Sequence, residues 1–229
     1  MTNPDPQLWL NIPVRMVCFD WGGVILRICR SWAEGCAAAG LPVRGNSASP
    51  DLRVRRRIAA EEYQRGRFTT AEFLRSLESI VENVYSQVEL KRIHDGFLVE
   101  EYAGVDRLVD RLANTANIET GMLSNTNELH WQRQHADSNA SVPHFPTASR
   151  LNHRHASHLL GHAKPGHEIY RAFERHTGFR GPEVLFFDDL ADNIAAARAV
   201  GWRAEQIDHT GDTAAQMHEH LQRHGVFAR

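Results

Sequence analysis

An aspartate that directly follows a short apolar run is the first residue of this sequence placed for chemistry. In the segment VCFDWGGVIL, Asp20 ends the run and is followed by Trp21 and two glycines. A carboxylate in this position can act as a nucleophile or bind a cation, and the glycines allow a ligand to approach the backbone closely. Two residues after Asp20, where a second acid would help such chemistry, the chain has Gly22.

Three other segments carry polar side chains of complementary types. The strand-like segment IETGMLS ends in Ser124 and precedes Asn125, and the strand-like segment EVLFFDD ends in Asp188 and Asp189. Lys164, one of two lysines in the chain, lies in a loop just before a helical pattern. With the first aspartate, these segments supply a nucleophilic carboxylate, a hydroxyl, a cation and a second acidic cluster.

This combination of groups predicts a magnesium-dependent reaction of a phosphate ester. Carboxylates from different strand ends form an oxygen cage that suits Mg²⁺, so Asp20 and Asp189 are the predicted metal ligands. Asp188 and the backbone carbonyl of Gly22 complete the predicted metal site. Attack of Asp20 on phosphorus would give an aspartyl-phosphate. The predicted phosphate ligands are the Ser124 hydroxyl, the Lys164 ammonium and the backbone N–H groups of Trp21, Gly22 and Asn125.

The elements expected to hold these residues alternate between strand and helix. Apolar, β-prone runs predict strands near residues 14–19, 118–124, 183–189 and 202–208, and helical patterns lie between the later ones. This alternation indicates an α/β protein with a doubly wound parallel sheet. In such sheets the ligand site lies at the carboxyl ends of the strands, which is where the candidate residues fall.

A helical section follows the first strand. Residues 30–101 show helical patterns without a strand-like run, and in residues 73–81 the apolar side chains recur every three or four positions. We therefore expect a Rossmann-like catalytic core formed by residues 1–27 and 104–229, with a small helical cap at residues 28–103.

The composition of the 229-residue chain narrows the class of protein. A hydrophobic fraction of 42% supports a sizeable core, and a formal net charge of -2 gives no general attraction to nucleic acid or membranes. Cys18, Cys29 and Cys36 lack the spacing of a disulfide framework, and the N-terminus shows no signal peptide. We expect a cytoplasmic protein whose partner is a small phosphorylated substrate, and not nucleic acid or a membrane.

Four segments, taken in order, resemble the motifs of the haloacid dehalogenase (HAD) superfamily. They are FDWGGVIL, LSNTN, KPGHEIY and FFDDLADNIAAARAVG, and EYQRGRFTTAEF resembles the cap of one branch. That branch, in which the first motif reads aspartate, any residue, glycine, includes α-D-glucose-1-phosphate phosphatase. The resemblance implies that Asp20 is the nucleophile and that Ser124 and Lys164 bind phosphate. It also implies that the acidic motif on the metal side consists of Asp188, Asp189 and Asn193.

The resemblance also implies a Mg²⁺-dependent phosphatase for a small phosphorylated metabolite, such as a sugar phosphate. Most phosphatases of the superfamily have an aspartate where this chain has Gly22, and that aspartate protonates the leaving oxygen and later activates water. Its loss predicts slow or selective hydrolysis, because general acid–base catalysis contributes about 10²–10⁴-fold. His94, Asp95 and Asp192 are the candidates to replace it.

Other interpretations stay open at this point. Gly22 also fits a non-hydrolytic binding protein on the HAD scaffold, and a dehalogenase or phosphonatase is a further alternative, the latter needing Lys91 as a Schiff-base lysine. The histidine-rich run 153–162 would place His158 and His162 on one helical face, where a solvated helix is favoured over a metal site. The arginine run 53–57 is expected on a solvated cap face, with contact to an anionic substrate as the alternative.

Overall fold

The computed structural model describes residues 12–135 and 144–228, which form seven strands. The strands are β1 Met16–Phe19, β2 Leu26–Ile28, β3 Leu98–Glu101, β4 Glu119–Ser124, β5 His153–Ala156, β6 Val184–Asp188 and β7 Arg203–Gln206. Five of them form one sheet in the order β5-β4-β1-β6-β7, and every neighbouring pair in this sheet is parallel. The predicted α/β fold with a parallel sheet is therefore confirmed.

Ten α-helices occur in the same described residues. They are α1 Trp32–Ala38, α2 Pro50–Gln64, α3 Thr70–Ile80, α4 Gln87–Gly96, α5 Val105–Ala113, α6 Glu128–Trp131, α7 Ser157–Leu160, α8 His167–Thr177, α9 Ala191–Ala199 and α10 Thr213–Arg223. Val17 and Phe19 of β1 pack in a hydrophobic cluster with α5 and α10, whereas Met16 and Cys18 pack with α8 and α9. Because helices cover both faces, the carboxyl edge of the sheet is the surface left for a ligand.

Helices α1 to α4 pack around a third hydrophobic cluster, which includes Tyr63, Phe73 and Leu77. Strands β2 and β3 lie on either side of these helices in the chain and pair as an antiparallel ribbon. The prediction of helical structure throughout residues 30–101 is therefore wrong at its end, because β3 forms by pairing with a strand far earlier in the chain. The division into a core and a cap at residues 28–103 remains our proposal.

The histidine-rich run 153–162 differs from its prediction. Its first part is the edge strand β5, which pairs with β4, and α7 covers only the next four residues. Gly161 ends α7 in the left-handed conformation, with φ of 70°. His158 and His162 therefore do not share a helix. Pairing with the sheet decides the conformation here, and the local spacing of histidines does not report that pairing.

The ends of α8, one loop and the cysteines are further features that the sequence and the structure share or do not share. Pro165 lies two residues before α8, which begins at His167, and Gly178 ends this helix in the left-handed conformation. The sequence of residues 137–152 is loop-like, and its part at residues 137–143 lies outside the described residues. The three cysteines are buried and free. None of the described helices is long and apolar enough to cross a membrane.

Candidate active site

The carboxyl ends of β1 and β6 bring three aspartates together. Asp20 follows β1, Asp188 ends β6 and Asp189 follows it, and all three are buried. One carboxylate oxygen of each lies within 4.8 Å of those of the other two. The buried Lys164 Nζ lies 3.0 Å from Asp20 Oδ1 and 2.7 Å from Asp188 Oδ2. The structure thus brings together the predicted nucleophile, cation and paired acids at one edge of the sheet.

Hydrogen bonds occupy both oxygens of Asp188. Its Oδ1 accepts from the Leu190 backbone N–H at 2.9 Å and from Asn193 Nδ2 at 3.0 Å. Its Oδ2 accepts from Lys164 Nζ at 2.7 Å and from Asn193 Nδ2 at 3.0 Å. A carboxylate offers about four lone-pair sites, so in this arrangement Asp188 positions Lys164, and Asn193 in turn positions Asp188.

Two oxygens of the aspartate cluster remain open to a cation. Among the described residues, no hydrogen bond reaches Asp20 Oδ2 or Asp189 Oδ1, while Asp189 Oδ2 accepts from Arg30 Nη2 at 2.8 Å. His209 Nδ1 lies 3.7 Å from the same Asp189 oxygen. Buried carboxylates are costly unless a cation or a hydrogen-bond donor meets their charge. The residues present therefore fit a bound Mg²⁺, with Asp20 and Asp189 as its side-chain ligands.

The charges of this cluster shift its proton equilibria. Burial raises the pKa of Asp20 to about 7; Lys164 opposes this rise, and Asp188 and Asp189 add to it. Burial alone would lower the pKa of Lys164, but the carboxylates of Asp188 and Asp20 hold it above its usual range. Lys164 is therefore a permanent cation, whereas Asp20 needs a further positive charge nearby to be fully ionised at neutral pH.

The glycines after the nucleophile differ in what they allow. Gly23 has a φ of +87°, and a Cβ there would lie 2.5 Å from Asp189 Cγ, so both conformation and space require glycine. The φ of Gly22 is not in the left-handed region. A Cβ at this position would lie 3.2 Å from Ile28 Cδ1, a close contact that involves only the end of a side chain. The chain could therefore carry a side chain at Gly22, where the general acid of related phosphatases is expected.

The residues predicted to hold phosphate lie beside the aspartates. Ser124 ends β4, and its Oγ makes no hydrogen bond within the described part of the chain. Asn125 Nδ2 donates to the Lys164 carbonyl and its Oδ1 accepts from the Lys164 N–H, both at 2.8 Å, so this side chain fixes the lysine loop. Within the described residues the Asn125 backbone N–H donates to no other backbone group, which leaves it for a ligand. The Trp21 N–H donates to Asp20 Oδ1 at 2.7 Å, and a phosphate must share that donor.

A cavity of about 400 Å³ lies between this edge of the sheet and helices α2, α3 and α4. Gly22, Ser124 and Asn125 line one end of it, together with Trp21, which is 2% exposed. Arg30, the partner of Asp189, also lines it, and so lies between that carboxylate and the cavity. The volume is at the small end of the range for small-molecule sites, which fits a metabolite.

Of the three candidates to replace the missing acid, only His94 lines this cavity. Burial lowers the pKa of His94 to about 4, so its ring is neutral at neutral pH and is a weak proton donor. Asp95 is ion-paired with Lys91 at 2.7 Å, and Asp192 is exposed on α9. Lys91 does not line the cavity either, so the lysine that a Schiff-base reaction requires is not in place.

Arg30 and His130 are among the residues of the cavity wall that reasoning from the sequence missed. Arg30 follows β2, and no motif distinguishes it from the many other arginines. His130 lies in α6, with its ring stacked on that of His94 at 4.0 Å and its Nε2 2.8 Å from the His94 carbonyl. Both reach the site through contacts between distant parts of the chain, for which local patterns give no signal.

Comparison with known proteins agrees with this fold. A family model for haloacid dehalogenase-like hydrolases matches residues 14–201. Because the match covers most of the chain, the chain belongs to the haloacid dehalogenase-like hydrolase family.

The chain is also similar to individual proteins. The chain is 26% identical over 205 residues to the D-ribitol-5-phosphate phosphatase of Bacteroides thetaiotaomicron, covering 87% of this chain and 94% of that protein. It is 40% identical over 58 residues to the phosphatase MT3486 of Mycobacterium tuberculosis, a match that covers 25% of this chain and only 27% of that protein. A HAD family enzyme from B. thetaiotaomicron, solved with magnesium and inorganic phosphate, has the same fold, with a TM-score of 0.71 at 19% identity over 89% of this chain and 98% of that chain.

Proposed function

We propose that this protein is a Mg²⁺-dependent phosphatase that hydrolyses a small phosphorylated metabolite through an aspartyl-phosphate. The observation that carries the proposal is the buried group of Asp20, Asp189 and Lys164 beside a cavity of about 400 Å³. The names of two relatives support phosphatase chemistry, and one of them names a sugar-alcohol phosphate, D-ribitol 5-phosphate. The related fold solved with magnesium and phosphate supports the metal. A sugar phosphate is our first candidate for the substrate.

Asp20 and Asp189 are the side chains that would hold Mg²⁺, with the carbonyl of Gly22 as a further ligand. When bound, the cation polarises the phosphoryl oxygens and favours the ionised form of Asp20. The Ser124 hydroxyl and the backbone N–H groups beside it orient the phosphoryl group. Lys164, 3.0 Å from the nucleophile, places a second positive charge next to the reacting phosphorus.

The reaction proceeds in two displacements at phosphorus. In the first, a carboxylate oxygen of Asp20 bonds to phosphorus while the ester P–O bond breaks and the alcohol leaves with the electron pair. In the second, water attacks the phosphorus of the aspartyl-phosphate, which releases inorganic phosphate and restores Asp20. Gly22 supplies no proton, so the leaving alkoxide takes its proton from water or from the substrate. Hydrolysis should therefore favour esters of acidic alcohols.

Phosphate release from p-nitrophenyl phosphate, with and without Mg²⁺, tests the proposal. We expect turnover that requires the metal and that falls more than about 10³-fold in Asp20→Asn, which keeps the shape of the side chain but removes the nucleophile. Asp106→Asn, an exposed acid on α5 outside the cavity, is the matched control and should leave the rate unchanged. Activity that persists in Asp20→Asn, or no turnover across a panel of phosphate esters, would refute the proposal.

A further inference from the structure

Helix α2 presents three arginines to the cavity beside the proposed active site. Two of them, Arg56 and Arg57, lie three and four residues after the first, Arg53. All three therefore share one face of the helix, and all three line the cavity. Arg55, in the same run, does not. Among the described residues, no aspartate or glutamate lines the cavity. The α2 wall therefore carries positive charge that no acid of the lining balances.

The three guanidinium groups differ in how far they are already engaged. Arg56 is buried, donates to the Ser47 carbonyl and lies over the Trp32 ring, 4.6 Å from its centroid. Arg57 makes an exposed ion pair with Glu61 at 3.2 Å. The side chain of Arg53 is exposed and makes no hydrogen bond or ion pair with the residues that the structure describes. Arg53 is thus the cation most available to a ligand, and Arg57 follows because exposed ion pairs are weak.

Two indole N–H groups at the same cavity also lack acceptors. Trp21 and Trp32 both line it, and the Nε1–H of each is buried without a hydrogen-bond partner among the described residues. Burying a donor without an acceptor destabilises the fold, so such groups are expected to meet a ligand. The cavity wall therefore carries N–H donors that lack partners in addition to the arginines, which matches a ligand with several anionic oxygens.

The charge of a single phosphate ester does not account for the α2 arginines. At the sheet edge, the phosphoryl group meets Lys164 and, by the proposed function, the metal held by Asp20 and Asp189. The arginines lie on α2, a helix that contributes none of the proposed phosphate ligands. They are therefore placed to meet a different part of the substrate.

We infer that the substrate is a phosphate monoester with a second anionic group, a carboxylate or a second phosphate, which Arg53 and Arg57 bind at the α2 wall. The inference rests on the proposed phosphatase function and narrows its substrate class. A guanidinium binds either group through paired N–H donors, so both belong to one chemistry. The cavity volume limits the body that joins the two groups to a small metabolite.

Matched pairs of substrates test the inference. We would measure kcat/KM with Mg²⁺ for glycerol 3-phosphate against 3-phosphoglycerate, and for fructose 6-phosphate against fructose 1,6-bisphosphate. The first pair adds a carboxylate and the second a phosphate, so the pairs separate the two anions. We expect at least one doubly anionic member to be preferred about 100-fold, and Arg53→Gln to lower that preference about tenfold, as expected for loss of a charge-assisted hydrogen bond. Arg53→Gln combined with Arg57→Gln should remove it.

Arg55→Gln is the matched control, because it removes the same charge from the same helix outside the cavity, and it should keep the preference. An equal loss for both members of a pair would show that the arginines attract phosphate esters in general, which overturns the inference. No preference in either pair overturns it as well. Hydrolysis of p-nitrophenyl phosphate separates the two claims. If the enzyme hydrolyses this ester but shows no preference in either pair, the proposed phosphatase function stands and only the second anionic site is refuted.

Discussion

Replacing Gly22 with aspartate is expected to accelerate the hydrolysis of alkyl phosphates. The backbone at Gly22 is not in the left-handed region, so the residue can accept a side chain. Its Cβ would lie 3.2 and 3.3 Å from the Cδ1 and Cγ2 atoms of Ile28. Ile28 is half-buried and can shift by a few tenths of an ångström, so we expect a cost in stability of about 1 kcal/mol. Gly23→Ala has no such freedom, because its Cβ would meet Asp189 at 2.5 Å.

The size of the gain follows from the leaving group. A general acid contributes about 10²–10⁴-fold where the leaving oxygen needs a proton. We therefore expect kcat for an alkyl phosphate such as glycerol 3-phosphate to rise at least about 100-fold in Gly22→Asp. The kcat/KM for p-nitrophenyl phosphate, which reports the first displacement alone, should change less than about tenfold, because p-nitrophenolate leaves without a proton.

Steady-state phosphate release from both esters is the assay, with Gly22→Asn as the control of equal shape that cannot donate an acidic proton. Ile28→Val in the same chain makes room for the new side chain and separates crowding from chemistry. If a folded Gly22→Asp variant is no faster than Gly22→Asn on the alkyl ester, with or without that second change, the absent acid does not limit this enzyme and the reasoning is wrong.

Three further predictions concern stability and are checked by chemical denaturation. Lys164→Met leaves the buried carboxylates of Asp20 and Asp188 without their cation and should lower the free energy of unfolding by about 3–5 kcal/mol; a loss below 1 kcal/mol would contradict the assigned pairing. Asn125→Ala removes two hydrogen bonds to the lysine loop and should cost about 2 kcal/mol, so an unchanged midpoint would speak against that link. Burial lowers the pKa of His94 to about 4, with Asp95 opposing and Lys91 and Arg133 adding, so the folded state keeps it neutral. The contribution of neutral His94 to the free energy of unfolding is complete above about pH 6.5, the pKa of the residue in the unfolded chain. This contribution falls by about 3 kcal/mol as the pH drops to 4. His94→Gln should flatten that pH dependence, and an equally steep loss in the variant would refute the assigned burial.

The sheet and the residues at its edge were predictable because their signals are local. An apolar run that ends in a polar residue marks both a buried strand and its carboxyl end, as at Asp20, Ser124 and Asp188. Parallel strands bring these ends to one edge, so the sequence predicted the grouping before any contact was known. The asymmetry between Asp188 and Asp189 did not follow, because it depends on which carboxylate oxygens the Leu190 N–H, Asn193 and the distant Arg30 contact.

Other features depend on contacts that no local pattern contains. Strands β2 and β3 are short and pair with each other although helices α1 to α4 separate them in the chain, so each segment alone resembles a loop or a helix end. The run 153–162 has histidines at helical spacing but joins the sheet as β5. The arginine run 53–57 reads as a solvated face, and only the packing of α2 shows that Arg53, Arg56 and Arg57 turn toward the cavity while Arg55 does not.

Detection of a phosphorylated Asp20 tests the central claim most directly. The enzyme would be mixed with p-nitrophenyl phosphate and Mg²⁺, quenched in acid within one turnover, digested and examined by mass spectrometry. We predict one phosphoryl group on the peptide that contains Asp20, sensitive to hydroxylamine as an acyl phosphate is, and no label in Asp20→Asn. Turnover by the wild-type enzyme without any label on that peptide, or equal labelling of Asp20→Asn, would contradict the account.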